Sequence, residues 1–401
     1  MGRIHHFLRG GAMKMACIVA GLFVSVLPCV YGQALYEEDF IFDAAVRSRG
    51  HVHASSIVEC PDGGLLVAWY ENGPRLPSYE YLLEADRSDD VRIGGARRQR
   101  NQTAWDEPFV MSDTFGVSDN NPAMVIDGKN RLWLIHATML AVAERAWGSS
   151  LLWYKVSSDY QRPGPPRWDR ESVLIVRPKN FAESVLRSAK GPAVKDVGER
   201  LKDPFARRLG WMPRAHPLAL PQGAVLIPLA NENFNVAAMA LSSDGGETWT
   251  FSNPVPGGDV SQPSVVRLAS GKLVAFFRDE GTDRRIKRSE SLDGGLTWSE
   301  VVATRLANPC SGVEAVVLRD GLLAIIYNDR ENSRDRLAVS ISSDDGVSWK
   351  WTRHLESRPG GRFDYPSMIQ ARDGTLQATY SYNVQTIKHV HFNEEWIRHG
   401  D

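Results

Sequence analysis

Short apolar runs separated by glycine-containing turns repeat six times along the chain. The runs come in pairs, such as 54–59 with 65–70 and 315–318 with 322–327. The turns between them are Asp62-Gly63, Asp127-Gly128, Gln222-Gly223, Ser270-Gly271, Asp320-Gly321 and Asp373-Gly374. A glycine after a polar residue supplies the positive φ that a two-residue turn needs, so each pair predicts a β-hairpin. Six hairpins in sequence indicate an all-β repeat architecture.

A second repeat, an octapeptide, follows three of the hairpins. Its copies are 242–249 (SSDGGETW), 291–298 (SLDGGLTW) and 342–349 (SSDDGVSW), and weaker versions end in Trp105 and Trp168. Asp and Ser side chains in such a turn accept or donate hydrogen bonds locally, Gly takes the left-handed conformation, and Trp packs under the sheet. We therefore interpret the octapeptide as a structural device and not as a source of general acids.

The octapeptide resembles the Asp-box, or bacterial neuraminidase repeat (BNR), of the sialidase superfamily. From about residue 35 to its end the chain is similar to the BNR branch of that superfamily. The resemblance implies a six-bladed β-propeller with four-stranded blades. We expect one such domain over residues 33–401, closed by a strand at Asp39–Ala45 that completes the sixth blade. Segments 72–100 and 171–211 interrupt the repeat and are predicted as insertions, the second as a partly helical lid or rim element.

The first 32 residues have the pattern of a signal peptide. Arg3, Arg9 and Lys14 precede the apolar run 15–30, and Val30-Tyr31-Gly32 resembles a cleavage site. The run is shorter than the roughly 20 residues of a membrane span, although a retained anchor is the alternative. We expect the mature protein to be secreted or periplasmic and not inserted in a membrane.

Composition narrows the expected partners. The formal net charge is -1 and the arginines are scattered among acids, so nucleic acid is not expected to bind. Only Cys60 and Cys310 follow the predicted leader, which predicts free thiols rather than a disulfide framework. There is no His-Glu-x-x-His pattern and no glycine-rich phosphate loop, so we expect no metal and no cofactor. The expected protein is a monomer with a glycan substrate.

Polar residues occupy positions that a propeller brings together at its axis. The innermost strands of all blades start near one point, and several of these starts are polar where a purely structural core could be apolar. The candidates for catalysis are His53, Glu71, Asp119, Glu314 and Tyr365. The candidates for substrate binding are Asn121, Arg214, His216, Glu232, Gln262, Arg278 and Arg362.

The sialidase resemblance suggests roles for some of these residues. In sialidases a tyrosine activated by a glutamate attacks the anomeric carbon, an aspartate is the acid/base, and three arginines hold the carboxylate of sialic acid. The resemblance implies that Tyr365, within 363–367 (FDYPS), is the nucleophile and that Arg278 is the second arginine. Asp119 or Glu71 would then be the acid/base. For the third arginine, Arg362 and Arg214 are both open.

Two departures from the family pattern leave the reaction open. His53-Ala54-Ser55 stands where the family has Arg-Ile-Pro, and Gln262 stands where it has the activating glutamate. A glutamine cannot take the tyrosine's proton, although Glu314 could substitute or instead pair with Arg278. The leading hypothesis is a sialidase-like exo-glycosidase acting on an acidic or complex glycan. A uronate-specific polysaccharide lyase and a non-catalytic glycan-binding propeller are the alternatives.

Overall fold

The computed structural model describes residues 32–46, 50–78, 85–141, 147–188 and 193–401. The predicted signal peptide therefore lies outside the described residues except for Gly32. No helix in these ranges combines the length and the apolar character of a membrane span.

Six antiparallel sheets form the blades of a propeller, as predicted from the sequence. The first strand of the chain, β1 (Tyr36–Phe40), belongs to the last blade. Blade 1 consists of β2 (Val52–Glu59), β3 (Leu65–Asn72), β4 (Val91–Arg98) and β5 (Phe109–Ser112). Blade 2 consists of β6 (Ser118–Ile126), β7 (Leu132–Met139), β8 (Ser150–Ser157) and β9 (Arg170–Val173). In both blades the first strand is the innermost, because it contacts the first strand of the neighbouring blade.

Blade 3 differs from the others because its innermost strand is broken into two short pieces. The pieces are β10 (Trp211–Met212) and β11 (Leu218–Ala219), and both pair with β12 (Val225–Asn231). The blade continues with β13 (Val236–Ser242) and β14 (Thr250–Phe251). Pro213 and Pro217 bracket the gap. Proline has no N–H to donate to a strand ladder, so pairing fails between them.

Blades 4 to 6 complete the ring. Blade 4 consists of β15 (Val260–Arg267), β16 (Leu273–Asp279), β17 (Arg285–Ser291) and β18 (Val302–Ala307). Blade 5 consists of β19 (Glu314–Val317), β20 (Leu323–Asn328), β21 (Arg336–Ser342) and β22 (Trp351–Ser357). Blade 6 consists of β23 (Phe363–Gln370), β24 (Leu376–Tyr382), β25 (Thr386–Phe392) and, outermost, β1.

The N-terminal strand closes the ring, as predicted, but with different bounds. It pairs with β25 from Tyr36 opposite Phe392 to Phe40 opposite Lys388. The predicted range of Asp39–Ala45 started three residues too late and ended too late, because the chain bends after Phe40. Tyr36 also stacks on Trp396 with ring centroids 4.6 Å apart, which ties the strand to the C-terminal end of the chain.

All six predicted hairpins are present, but their turns are longer than two residues. Five residues separate the paired strands, as in 60–64, where the Gly63 amide donates to the Cys60 carbonyl at 2.9 Å. Gly63 has φ +86°. In blade 2 the left-handed residue is Asn130, at φ +56°, and not Gly128. Asparagine tolerates this conformation better than most residues, so the turn keeps the same shape.

The three octapeptides have the structural role that the sequence predicted. Each connects the third strand of its blade to the fourth. In the copy of blade 4, the Asp293 carboxylate accepts hydrogen bonds from the amides of Leu296 and Thr297 and from the Ser291 hydroxyl. Burial is the largest single effect and raises the pKa of Asp293, but these hydrogen bonds and one from the Thr297 hydroxyl together lower it to about 2. The carboxylate therefore stays ionised and holds the turn.

The two interrupting segments contain both blade strands and additional structure. In the first, a 3₁₀ turn (Ala85–Arg87) precedes β4, which is itself a regular blade strand. The second contains helices α1 (Phe181–Ser188), α2 (Ala193–Arg200) and α3 (Pro204–Arg208). Val185 and Val197 pack in the same apolar cluster as Trp211. This packing anchors the helices against blades 2 and 3.

The remaining short elements are two 3₁₀ turns and one helix. Two 3₁₀ turns are Trp147–Ser149 and Pro221–Gly223, and the last helix is α4 (Glu394–Arg398). The Asn393 side chain accepts a hydrogen bond from the Trp396 amide and so caps α4. Cys60 and Cys310 are free thiols, as predicted.

Candidate active site

A polar cavity of about 260 Å³ lies at the axis, where the inner strands start. Its walls come from strands of blades 1, 2, 3, 4 and 6 and from several connecting segments, including the one between β20 and β21 of blade 5. The lining residues are His53, Tyr70, Asp86, Asn121, Trp147, Met212, Glu232, Gln262, Arg278, Arg334, Arg362 and Tyr365. Seven of the twelve residues predicted from the sequence therefore meet in one place: His53, Asn121, Glu232, Gln262, Arg278, Arg362 and Tyr365.

A repeated β-bulge aims side chains into the cavity. The register of the inner strand slips after His53, Asn120, Ser261 and Asp364, in blades 1, 2, 4 and 6. The residue that follows each slip is left-handed: Ala54 (φ +56°), Asn121 (+49°), Gln262 (+49°) and Tyr365 (+49°). A bulge of this kind turns a side chain away from the regular alternation of the strand. Three of the four left-handed residues line the cavity, while blade 1 carries only a methyl group there.

Tyr365 is surrounded by cationic and aromatic groups. Nη1 of Arg278 donates a hydrogen bond to the tyrosine hydroxyl at 3.1 Å. The His53 ring meets the tyrosine ring edge-on, with centroids 4.6 Å apart. The guanidinium carbons of Arg214 and Arg334 lie 5.1 and 5.5 Å from the ring centroid. Negative charge on the tyrosine oxygen would therefore be stabilised by nearby guanidinium groups.

Three arginines reach the cavity, and a buried carboxylate organises two of them. Asp364 is fully buried and pairs with Nη1 of Arg334 at 3.0 Å and with Nε of Arg362. Its second oxygen also lies 3.7 Å from Nε2 of His53. Asp364 therefore fixes both guanidinium groups beside Tyr365, with which it shares the inner strand of blade 6.

The third arginine, Arg278, is held from the side of blade 4. Its Nε lies 2.8 Å from Oε1 of Glu280, and its Nη2 lies 3.0 Å from the Cys310 sulfur. The Cys310 carbonyl accepts a hydrogen bond of 2.6 Å from Arg334. Cys310 thus contacts both Arg278 and Arg334. Each guanidinium group has five N–H donors, and those that these contacts do not use can bind an anionic ligand.

Two carboxyl groups in the cavity hold protons more tightly than usual. Burial raises the pKa of Glu232 to about 7, although the charge of Arg278 opposes the shift. Burial also raises the pKa of Asp86, despite a backbone hydrogen bond and the charge of Arg362. Perturbed carboxyl groups beside a nucleophile are typical of proton transfer in catalysis.

The two histidines of blade 1 are neutral at pH 7. His51 and His53 touch each other, with ring centroids 5.0 Å apart, as expected for residues on one strand face. Burial lowers the pKa of His51 to about 4 and that of His53 well below its usual value. His53 therefore cannot replace the charge of the arginine that the sialidase pattern places at this position.

Asp119 and Glu71, predicted as acid/base candidates, do not line the cavity. Asp119 is fully buried and accepts hydrogen bonds from the Thr114 amide at 2.8 Å and the Thr138 hydroxyl at 2.5 Å. Glu71 is also fully buried and accepts from Nε1 of Trp69 at 2.9 Å. Both carboxylates therefore accept hydrogen bonds from groups of the surrounding fold and not from the cavity. Neither carboxylate is among the residues that line the cavity.

Glu314, His216 and Arg214 also lie outside the cavity. Glu314 accepts from the His216 amide at 2.9 Å, and its other oxygen lies 2.9 Å from Nδ1 of His216. These two residues line a second, largely apolar cavity at the turn ends of the inner strands. Arg214 lies under Tyr365 and is almost entirely buried. Neither the catalytic assignment of Glu314 nor the substrate-binding assignments of His216 and Arg214 fit these positions.

Several cavity residues were missed from the sequence. Arg334 lies in the connection between β20 and β21, and Asp86 lies in the 3₁₀ turn within the first interrupting segment. The sequence does contain a pattern that predicts the bulges. Inner strands of blades 2, 4 and 6 contain a polar or aromatic residue followed by proline and a small residue, as in Asn121-Pro122, Gln262-Pro263 and Tyr365-Pro366.

Gly312 provides a direct test of how tightly the nucleophile candidate is held. A methyl group added there would lie 2.8 Å from Cδ1 of Tyr365 and 3.2 Å from Oε1 of Gln262. We expect Gly312→Ala to displace the tyrosine ring and to lower kcat by about 10- to 100-fold, since small misplacements of reacting groups have effects of this order. Steady-state kinetics and thermal melting would be measured together.

The matched control for this substitution is Gly128→Ala, in a turn at the opposite face. The nearest atom to the added methyl group there is the backbone nitrogen of Gly223, at an ordinary 3.4 Å. Unchanged kcat in Gly312→Ala would show that the tyrosine ring does not depend on this contact.

Comparisons with known proteins place the chain in the BNR repeat-like domain family and show its similarity to sialidases. Residues 83–378 match the BNR repeat-like domain family. A sialidase of Paraclostridium sordellii is 26% identical over 324 residues, which cover 73% of this chain and 74% of that protein. An anhydrosialidase of the leech Macrobdella decora is 24% identical over 180 residues, 39% of this chain, but the match spans only 23% of that protein's length.

The solved structures support the same fold. The Hadza microbial sialidase Hz136 has a TM-score of 0.66 with this chain at 18% sequence identity. The superposition covers 90% of this chain and 69% of that one. At this level of identity the likeness concerns the fold, and the chemistry depends on the cavity residues.

Proposed function

The chain belongs to the BNR repeat-like domain family and has the sialidase-type propeller fold, and from this premise we propose that it is a glycoside hydrolase releasing a terminal anionic sugar. The observation that carries the proposal is the hydrogen bond between Tyr365 and Arg278 inside a cavity with two further arginines. A carboxylate sugar needs such cations, because guanidinium groups bind carboxylates through paired hydrogen bonds. The size of the cavity suits a single sugar ring better than a long chain.

The substrate carboxylate is bound by an arginine set that differs from the family pattern. Arg278 and Arg334 provide two guanidinium groups from blade 4 and from the loop after β20. Blade 1 provides the neutral His53 where the pattern has arginine, and Arg362 of blade 6 supplies the third cation. Asp364 holds Arg362 in place. The third cation therefore comes from a neighbouring blade.

In the proposed reaction Tyr365 is the nucleophile and two carboxyl groups move protons. The tyrosine hydroxyl gives its proton to the Glu232 carboxylate as its oxygen attacks the anomeric carbon. Asp86 donates its proton to the departing glycosidic oxygen. Water then returns a proton to Asp86 and attacks the anomeric carbon, and Tyr365 leaves and recovers its proton from Glu232. Two displacements at one carbon retain the anomeric configuration.

Glu232 receives the role of proton acceptor because Gln262 cannot fill it. Both residues line the same cavity as Tyr365 and Arg278. The charge of Arg278 acts on the pKa of Glu232, while Gln262 and the Tyr365 ring both lie next to Gly312. A carboxyl group with a pKa of about 7 is well matched to accepting and returning a proton near neutral pH.

The role of Glu232 predicts a specific pH dependence. A base must be ionised to act, so the limb of the kcat/KM profile that rises with pH should have an apparent pKa of about 7, and the falling limb should report loss of the proton that Asp86 donates. Glu232→Gln should lose this rise and lower kcat by about 10²- to 10⁴-fold, the usual contribution of a general acid or base. The pH–rate profiles of the two proteins would be compared under identical conditions.

A suitable control for the pH profile is Glu394→Gln. Burial raises the pKa of Glu394 as well, but this residue lies in α4 and pairs with Arg398. Its substitution should leave the pH–rate profile unchanged. The same rising limb in wild type and in Glu232→Gln would assign the titration to another group.

The function itself is tested with chromogenic glycosides of N-acetylneuraminic acid and of glucuronic acid. We expect release of the free acidic sugar, and NMR of the first-formed product should show the anomeric configuration of the substrate. An inverted product would contradict a tyrosine nucleophile. No release from either glycoside, with saturable binding of the free sugars, would instead identify a binding propeller.

Two features of the cavity favour a lyase as the second candidate. His53 contacts the ring of Tyr365, and the cavity has glutamine at the position of the activating glutamate. A lyase needs a cation for the uronate carboxylate and a His or Tyr to remove and supply protons. Its product is an unsaturated uronate, so ultraviolet absorbance after incubation with polyuronates distinguishes the two reactions.

A further inference from the structure

Arg214 reaches the central channel because the inner strand of blade 3 is broken. It lies between Pro213 and Pro217, in the gap between β10 and β11. The backbone in this gap makes no ladder with β12. The long side chain therefore leaves blade 3 and crosses the axis to blades 1 and 6.

The guanidinium group donates to the backbone carbonyls of the nucleophile candidate, of the residue after it and of Ser55 in blade 1. Its Nη2 lies 2.7 Å from the carbonyl oxygen of Tyr365, 3.1 Å from that of Pro366 and 3.0 Å from that of Ser55. Its central carbon lies 5.1 Å from the centroid of the Tyr365 ring. Arg214 is only 2% exposed, so it supports the tyrosine from below and is shielded from the cavity.

These carbonyl groups need a donor because of the bulge at Tyr365. The register between β23 and β24 slips between Asp364 and Ser367, so the intervening residues have no regular ladder partners. Tyr365 also has φ +49°, a conformation that a bulky side chain adopts only when its surroundings enforce it. Arg214, a buried cation that donates to the carbonyls of Tyr365 and Pro366, stabilises this conformation.

The positive charge of Arg214 is balanced on the side away from the tyrosine. Burial lowers the pKa of Arg214, and the charge of Glu314 opposes the shift. Glu314 is itself fixed by two contacts with His216, whose Nε2 lies 2.6 Å from the Ile57 carbonyl oxygen. Hydrogen bonds thus link Tyr365 to Arg214 and Glu314 to His216, and the charges of Arg214 and Glu314 connect the two pairs.

We infer that Arg214 is a positioning residue for Tyr365: it holds the left-handed bulge so that the hydroxyl faces Arg278. This inference rests on the proposed function, in which Tyr365 is the nucleophile. It assigns Arg214 no contact with substrate. Glu314 contributes a negative charge that acts on Arg214, and His216 holds the Glu314 carboxylate in place.

The test compares Arg214→Lys with Arg97→Lys in the full chain. Arg97 is a matched control because it is also buried and donates to two backbone carbonyls, of Gly164 and Tyr160, but away from the cavity. Lysine keeps the charge, but its side chain is one atom shorter, so its ammonium group falls short of the position from which Nη2 donates to the carbonyls. We expect Arg214→Lys to lower kcat at least 10-fold with KM changed less than threefold, and Arg97→Lys to leave both constants unchanged.

Chemical rescue separates positioning from general stability. Arg214→Ala should regain part of its kcat when millimolar guanidinium chloride is added, since the free cation can enter the vacated site. Arg97→Ala should show no such gain. An increase in KM with unchanged kcat in the Arg214 variants would mean direct substrate binding and would overturn the inference, as would unchanged kinetic constants.

A readout without turnover makes the inference independent of the activity. The protein labelled with 3-fluorotyrosine gives a ¹⁹F signal for Tyr365, identified by its absence in Tyr365→Phe. Arg214→Lys should shift or broaden this signal, while Arg97→Lys should not. A shifted signal together with no turnover by the wild type would reject the proposed function and retain the positioning role. An unshifted signal would reject the positioning role.

Discussion

Replacing Tyr365 with Phe should lower kcat by at least about 10³-fold, the order of loss seen when an enzyme nucleophile is removed. The substitution removes only the hydroxyl oxygen and its 3.1 Å hydrogen bond with Arg278. The backbone conformation and the ring contacts with His53 and Arg214 can stay as they are. Turnover of an acidic glycoside and binding of the free sugar would be measured on the same sample.

The control for this change is Tyr327→Phe. Tyr327 is a buried tyrosine of blade 5 whose hydroxyl lies 3.2 Å from the Ser340 hydroxyl, far from the cavity. Losing that hydroxyl should cost about 1 kcal/mol of stability and leave kcat unchanged. If Tyr365→Phe kept more than a tenth of the wild-type kcat, the tyrosine could not be the covalent nucleophile.

Replacing Arg278 with Met should lower kcat/KM for a carboxylate sugar by about 10²- to 10⁴-fold. Two charge-assisted hydrogen bonds are lost, each worth roughly 1.5–3 kcal/mol, and 1.4 kcal/mol corresponds to a factor of ten. The effect should be smaller for the methyl ester of the same sugar, which carries no charge, and the loss that remains reflects the missing hydrogen bond between Arg278 and Tyr365. The measurement is therefore the ratio of kcat/KM for acid and ester in both proteins.

Arg288→Met serves as the control for the arginine. Arg288 lies on β17 of the same blade and donates to Glu290 and to the Asp345 carbonyl, away from the cavity. Its substitution should leave the acid-to-ester ratio unchanged. A ratio that is the same in wild type and in Arg278→Met would show that the substrate carboxylate is bound elsewhere.

Much of the fold could be predicted because its signals are local in the sequence. The six hairpin turns and the three octapeptides each depend on short stretches whose backbone conformation the residues themselves dictate, as in the left-handed Gly63. The bounds of the closing strand could not be predicted in the same way. Its pairing partner β25 lies more than 340 residues away, and only that partner decides where the ladder ends.

The site was less predictable because it is assembled from irregular backbone. Tyr365, Gln262 and Asn121 were found since they lie at the starts of inner strands, and the bulges turn them into the cavity. The same rule selected Asp119, which has no such bulge at its own position and points into its blade. Arg334 comes from a connection with no periodic pattern, so only the folded chain brings it to Tyr365.

The closing strand also imposes an order on the assembly of the molecule. Synthesis delivers Tyr36–Phe40 first and its partner Thr386–Phe392 last, so blade 6 cannot be finished until nearly all of the chain exists. Until then Tyr36–Phe40 is an unpaired strand, and unpaired strands can pair with other chains and aggregate. Its centre is Glu37, Glu38 and Asp39. Three adjacent negative charges repel the same segment of other molecules and keep it hydrated until Thr386–Phe392 has been synthesised.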